Sequence, residues 1–327
     1  MLISVIVCTH DISRLKDLSE AIESLKTQTH KNTEIVVIVD GNHALFDIIP
    51  DTINGISVLY CNDKNIGLSK SRNVGAKMAH GAVIAFFDDD AIAEPTWLSE
   101  LSKMYTEHNA IAAGGLIKPL WIGKVAGFIP SEYFWLVGAT HRGYANRVRE
   151  VRNTFGSNLS FTRSTFLALG GFREDLGFNA GRKKSVMQGE EAELCIRMKK
   201  MFGKGVMYNP NAVVSHKVFD SRIELRRLFQ RAYWQGYSKK VMAESETAGL
   251  TDEVGFLKDL TMRYIPWRIR KLLWHPTPAR TTQFLFLVLF TGAIGVGYFG
   301  RMFEKLYAQA KVFLHLEPHV SVDVLTR

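Results

Sequence analysis

Cysteine is scarce in these 327 residues. Cys8, Cys61 and Cys195 are three, an odd number with no CxxC pair, so neither a disulfide framework nor a cysteine-based zinc knuckle has enough ligands. A reducing compartment fits that usage. Nine prolines, no Gly-Xaa-Yaa period and 46% hydrophobic residues exclude collagen-like and disordered chains and leave ample material for a core. Three nucleotide-binding signatures are also missing. The turn after the first apolar run holds Thr9-His10-Asp11 where a dinucleotide fold needs GxGxxG, no GxxxxGK[ST] run exists, and no glycine-rich phosphate loop opens the chain as in the pyrophosphorylases. The start, MLISVIVCTH, lacks a charged leader and is too short in apolar residues for a signal peptide, which predicts that the first 280 residues stay in the cytosol.

What is present begins as an α/β pattern. Ile3 to Cys8 reads as a strand, Leu15, Leu18, Ile22 and Leu25 share one helical face, and Glu34 to Val39 reads as a second strand ending in Asp40-Gly41-Asn42. Ile56 to Tyr60 and Ala82 to Phe87 add two more. Strand, helix and strand at this spacing make βαβ units, whose open, mostly parallel sheet puts its functional loops at the carboxyl ends of the strands.

The fourth strand ends in Asp88-Asp89-Asp90. Three adjacent acids raise one another's pKa unless a cation neutralises them; a divalent ion that also holds phosphates, Mg2+ or Mn2+, would do so, and a solvated acidic turn is the alternative. Upstream, Asn65 to Ala76 (NIGLSKSRNVGA) reads as a loop entering a helix, with Ser69 or Ser71 near its cap and Arg72 available to a phosphate or carboxylate. Downstream come Gly156-Ser157-Asn158-Leu159-Ser160-Phe161, then Gly170-Gly171-Phe172. Glu190 and Glu191 open a helix, where the dipole alone would favour acids. Val213-Val214-Ser215 leads into His216, a residue that taken singly reads as structural.

The order of these pieces, from Thr9 through Asp40, NxGxSxxRNxG, Asp88-Asp89-Asp90, GSNLSF, GGF and Glu190-Glu191 to His216, resembles the family-2 glycosyltransferases of GT-A fold over residues 1–217. Further on, Arg231 to Lys239 (RAYWQGYSK) and the apolar carboxy-terminal segment are similar to archaeal-type enzymes that extend dolichyl-phosphate-linked glycans, glucosyl-dolichyl-phosphate glucuronosyltransferases among them. The resemblance implies that Thr9, His10 and Asp40 hold a uracil base and that Arg72 helps to place the nucleotide. Asp88 and Asp90 would form the DxD motif, Asp90 nearer the metal and Asp88 or Asp89 nearer the ribose; His216 would be a further ligand of Mn2+ or Mg2+, and Glu191 takes the place of the catalytic base. Cys8 stands where proline is frequent, Glu191 where aspartate is frequent, and a QxxRW motif is missing, which argues against a processive synthase. These roles agree with the chemistry of transfer from a nucleotide sugar, which needs a cation on the leaving diphosphate and a base for the acceptor hydroxyl. Direct displacement would invert the anomeric carbon.

The last third carries 16 basic against 10 acidic residues from Val218 onward. Thr281 to Gly300 is 20 residues without a charge, about the length of a bilayer-spanning helix. Before it, Tyr264, Trp267, Leu272, Leu273 and Trp274 alternate with Arg263, Arg268, Arg270 and Lys271, as in helices lying on anionic membranes. The expected plan is a catalytic domain at 1–217, an amphipathic interface region at 218–280, a transmembrane or membrane-inserted helix at 281–300 and a tail at 301–327. The expected partners are a UDP-sugar, a lipid-phosphate-linked glycan and the cell membrane, with catalysis on its cytosolic face and no nucleic acid. Arg142, Arg147, Arg149 and Arg152 are placed to meet a uronic-acid carboxylate or simply to be solvated. A polyprenyl-phosphate sugar synthase and a catalytically silent membrane assembly subunit are the rival readings, the latter giving no reason to keep Asp90, Glu191 and His216 together.

Overall fold

The computed structural model describes residues 1–175, 189–244 and 251–313; residues 314–327 of the expected tail lie outside them. Four Val/Ile-rich strands, β1 (Ile3–Thr9), β2 (Thr33–Asp40), β3 (Val58–Asn62) and β4 (Val83–Asp88), pair in parallel in the order β3-β2-β1-β4. Helices α1 (Leu15–Lys26), α2 (His43–Thr52) and α3 (Leu68–Met78) connect them. Strands two and four run on into their acids, because the ladder continues through Asp40 opposite Asn62 and Asp88 opposite Cys8. Gly67 rather than a serine caps α3. Ser71 is buried in its first turn and accepts a hydrogen bond from Asn62 Nδ2 at 2.9 Å.

The second half of the sheet is mixed. β5 (Ala91–Ala93), β6 (Ala112–Ile122), β7 (Arg149–Val151), β8 (Leu159–Thr162) and β9 (Val206–Phe219) complete the order β3-β2-β1-β4-β8-β6-β9-β5, with β7 also paired to β9. Helices α4 (Trp97–Glu107), α5 (Arg163–Ala168) and α6 (Glu190–Phe202) flank it. Alternation along each strand divides the core. Val5, Val37 and Ala85 pack with α1, α2 and α4 on one face, and Ile6, Ile38 and Phe86 with α3 and α6 on the other. Phe86 meets Phe161, Phe166 and Phe172 at ring centroids of 6.4, 5.2 and 4.9 Å.

A third apolar cluster joins this domain to the carboxy-terminal helices. These are α7 (Leu225–Glu244), α8 (Thr251–Asp259), a π turn over Leu260–Tyr264, α9 (Ile265–Trp274) and α10 (Pro278–Phe313). Leu228, Leu260, Leu287 and Phe290 bury against Tyr133 and Leu136, and Trp121, Phe128, Phe134 and Trp135 pack against the same cluster. Tyr133 Oη and Thr291 Oγ1 are 2.7 Å apart, and buried Arg268 holds Glu132 at 2.5 and 3.1 Å. Helices α7 and α10 touch backbone to backbone: a Cβ at Gly236 would strike the carbonyl of Ile294, and one at Gly297 the carbonyl of Tyr233. The outer face of α10 exposes Leu285, Val288, Val296, Phe299 and Phe303. From Pro278 to Glu304 this helix is long and apolar enough to cross a membrane, with 17% of its most apolar window buried.

Candidate active site

Because β1 and β4 are adjacent and parallel, Thr9 and Asp88 emerge side by side at the carboxyl edge of the sheet, where open α/β sheets bind ligands. The antiparallel pairing of β5 with β9 sets Ala91 opposite His216, and Lys217 N–H donates to the Asp90 carbonyl at 2.9 Å. These two ladders bring the triple acid to a histidine more than a hundred residues away. One ligand atom each from Asp88, Asp90 and His216 lies within 4.8 Å of the others. Two carboxylates and an imidazole suit Mn2+ and, less fully, Mg2+. His216 turns its Nε2 to the acids, 3.2 Å from Asp90 Oδ1 and 3.1 Å from Arg222 Nη1, so the donor set fits a cation by its chemistry.

Two arginines that the sequence reading passed over complete this cluster. Arg14 Nη1 is 3.0 Å from Asp89 Oδ1 and 2.9 Å from Asp90 Oδ2, and Arg222 Nη2 is 3.2 Å from the same Asp90 oxygen. Burial pushes the Asp90 carboxyl up, but His216, Arg222 and Arg14 together outweigh it and hold the group well below the usual carboxylate range. Asp89, buried and beside Asp90, is pushed up to about 6 in spite of Arg14. Their only signal in the sequence was position, five residues after Thr9 and six after His216.

Arg72, 3% exposed, links the metal ligands to the expected base. Its Nη2 is 2.9 Å from Asp88 Oδ1 and its Nη1 3.3 Å from Glu191 Oε1, with Glu190 Oε1 at 3.9 Å. Burial, then the neighbouring Glu190 carboxylate, pushes Glu191 up to about 7 against the pull of Arg72. That is where a general base works best near neutral pH. Gly156 of the GSNLSF element lies against both groups, and a Cβ there would collide with the Glu191 carboxylate and the Arg72 guanidinium. Asn158 takes the Trp97 indole N–H at 2.9 Å, while Asn73 exchanges two 2.9 Å hydrogen bonds with the backbone of Phe172, so the GGF element is tied to α3.

The three residues expected around the base are close together in the fold but differ in how they are occupied. Asp40 accepts from Asn62 Nδ2, Ile66 N–H and Gly67 N–H, each at 2.9 Å, which fixes the loop leading into α3. Thr9 is buried next to Asp89, and His10 is exposed with its carbonyl taking the Asn42 side chain at 3.0 Å. Cys8, where proline was expected from the family, is a free cysteine whose thiol burial pushes up to about 12.

The model for "Glycosyl transferase family 2" matches residues 4–186. The chain belongs to that family. This glycosyltransferase is 42% identical, over 91% of its length and 95% of the relative's, to the glucosyl-dolichyl phosphate glucuronosyltransferase of Haloferax volcanii. Its fold is similar to that of a mannosyltransferase from Pyrobaculum calidifontis in complex with GDP-Man and Mn2+, with a TM-score of 0.54 and 15% identity over 91% of this chain and 86% of that one. It is also similar to S. aureus TarS 1–349 in complex with UDP-GlcNAc, at 0.53 and 16% over 90% and 82%. These likenesses establish the GT-A fold, the mixed sheet with flanking helices that the glycosyltransferase was expected to have.

Proposed function

We propose that this glycosyltransferase, attached to the cytosolic face of the cell membrane, moves a sugar from a UDP-sugar to a dolichyl-phosphate-linked glycan with inversion at the anomeric carbon. The observation that carries the reading is the Haloferax relative, aligned over almost the whole of both chains, whose name specifies a glucosyl-dolichyl phosphate acceptor and glucuronic acid. Glucuronic acid is therefore the first donor sugar to test.

Asp88, Asp90 and His216 would hold Mn2+ or Mg2+, which when bound supplies positive charge for a leaving diphosphate. Thr9, His10 and Asp40 would hold the uracil, and Asp88 or Asp89 would lie nearer the ribose. Arg14 and Arg222, which already contact Asp90, would add their positive charge to that of the cation. Arg72 holds Asp88 and Glu191 in fixed relation. Glu191, poised near neutral pH, takes the proton of the acceptor hydroxyl as that oxygen attacks from the face opposite the diphosphate. Arg263, Arg270 and Lys271, with exposed Trp267, Leu273 and Trp274 and the outer face of α10, form the surface proposed to meet the anionic membrane.

The test is incubation of the full chain with manganese, individual UDP-sugars and a synthetic glucosyl phosphoprenol, with products read by mass spectrometry. The expected result is addition of one sugar to the glucosyl phosphoprenol. Absence of transfer together with absence of metal-dependent nucleotide binding would overturn the reading, and a product made only on bare prenyl phosphate would replace the acceptor.

A further inference from the structure

A concavity of about 720 Å³ opens between the 141–152 loop, the carboxyl-terminal half of α6 and the α8 to π-turn segment; none of Asp88, Asp90, Glu191 and His216 lines it. Three of the four arginines noted in the sequence, Arg142, Arg149 and Arg152, line it together with Lys199 and Lys200. Its acids are Glu150 and Asp259. Glu150 is engaged by Lys199 at 2.6 Å, and Asp259 by Arg263 at 3.7 Å. Among the described residues Arg149 donates only to a backbone carbonyl and Lys200 pairs with no carboxylate, while Arg142 Nη1 lies 3.9 Å from Glu132 Oε1, a carboxylate that Arg268 already holds. The wall thus holds cations in excess, a field that attracts an anion.

Aromatic faces share the cavity. His141 stands edge-on to Tyr144 and to Phe256, each at 5.3 Å between centroids, and Tyr264 closes one side. Arg142 lies 4.0 Å above the Trp267 ring. Apolar ring faces suit the C–H-rich face of a pyranose, while guanidinium and ammonium groups suit a phosphodiester.

The position narrows the ligand. The residues of α6 that line the cavity, Ile196, Lys199 and Lys200, follow Glu191 by five to nine positions, which puts the cavity about 8–14 Å along the helix from the base, roughly one to two sugar rings. The 152–156 segment makes the same connection, since Arg152 lines the cavity and Gly156 touches the Glu191 carboxylate. At the other end Tyr264 leads straight into α9, with Trp267, Ile269, Leu273 and Trp274 exposed. Base, cationic aromatic cavity and apolar surface follow in the order in which a glycolipid presents its reacting hydroxyl, its phosphate and its prenyl chain.

We propose that this cavity is the phosphate subsite for the acceptor: Arg142, Arg149 and Lys200 bind the phosphodiester, and His141 and Tyr144 receive the adjoining sugar. The proposal rests on the acceptor class given under Proposed function. The test is the full chain carrying Arg149→Glu and Lys200→Glu, both at exposed positions, beside the control pair Arg149→Lys and Lys200→Arg. Manganese-dependent UDP affinity should stay parental in both, reporting an intact donor site. With short-chain glucosyl phosphoprenol the Glu variant should raise KM on the order of tenfold or more with kcat near parental, the control should not, and an alkyl glucoside lacking phosphate should show no difference.

An unchanged KM for the phosphate-bearing acceptor overturns the proposal, as does an equal rise for both acceptors. Loss of binding to phosphatidylglycerol-containing vesicles, with acceptor KM unchanged, would assign the cations to membrane headgroups instead and equally overturn it. Should the parent transfer to no glucosyl phosphoprenol, the acceptor reading fails separately. Direct titration of that lipid against Trp fluorescence, parent versus variant, still decides whether the cavity binds it.

Discussion

Glu191→Gln separates a catalytic from a structural role because the two predict opposite effects on stability. Glu191 shares its surroundings with Glu190 and Arg72, and burial together with Glu190 raises its folded pKa from the ordinary 4.5 to about 7. Below pH 4.5 both folded and unfolded chains carry the proton, so there is no linkage. Between 4.5 and 7 the unfolded chain releases it first, and the folded state loses stability as pH rises; above 7 the loss is complete, at most about 3 kcal/mol. Glutamine keeps the shape and removes this penalty, while Arg72 retains Asp88 at 2.9 Å. The variant should therefore be more stable than the parent above pH 7, by an amount that shrinks as pH falls towards 4.5. Its turnover should fall by on the order of 10²–10⁴ with UDP affinity near parental, since a positioned base is gone. Urea unfolding across pH, with m unchanged, measures the first effect and single-turnover transfer the second. A variant that turns over at the parental rate, or that is destabilised at pH 8, refutes the argument.

Asp90→Ala should weaken manganese-dependent UDP binding by at least about 10–100-fold, measured by titration calorimetry, because it removes a ligand atom from the cluster with Asp88 and His216. In the parent, kcat should rise with pH through an acid limb near 7, the deprotonation of Glu191, and that limb should vanish from the residual rate of Glu191→Gln. Phe86→Ala should lower stability by about 3–5 kcal/mol in urea unfolding, since Phe86 is fully buried among Phe161, Phe166 and Phe172. Leu273→Glu with Trp274→Glu, at positions 77% and 72% exposed, should reduce partition into anionic vesicles at least tenfold in sedimentation assays without changing UDP affinity. Removing the helices after Asp252 is a poorer probe of membrane contact, because Leu287 and Phe290 would leave Tyr133 and Leu228 uncovered.

Short continuous runs of valine, isoleucine and other apolar residues and a helical face of leucines were enough to place the parallel half of the sheet, because those signals come from neighbours a few residues apart. They also placed Asp40 and Asp88 at strand ends, where side chains of several strands converge. The chemical types at Asp88, Asp90, Glu191 and His216 pointed to a cation and a base before any geometry was known. Only the tertiary structure brought Arg14 and Arg222 to Asp90 and joined Arg72 to Glu191, since those pairings span 76, 132 and 119 residues and leave no local trace. The charge-free run in α10 gave its length and hydropathy, but that Leu287 and Phe290 bury against the catalytic domain while Val296 and Phe299 face outward depends on which surface is opposite. The same holds for the arginines of the 141–152 loop. Sequence counts their charges, whereas the packing of α6 and α8 decides that Arg142, Arg149 and Arg152 line one cavity.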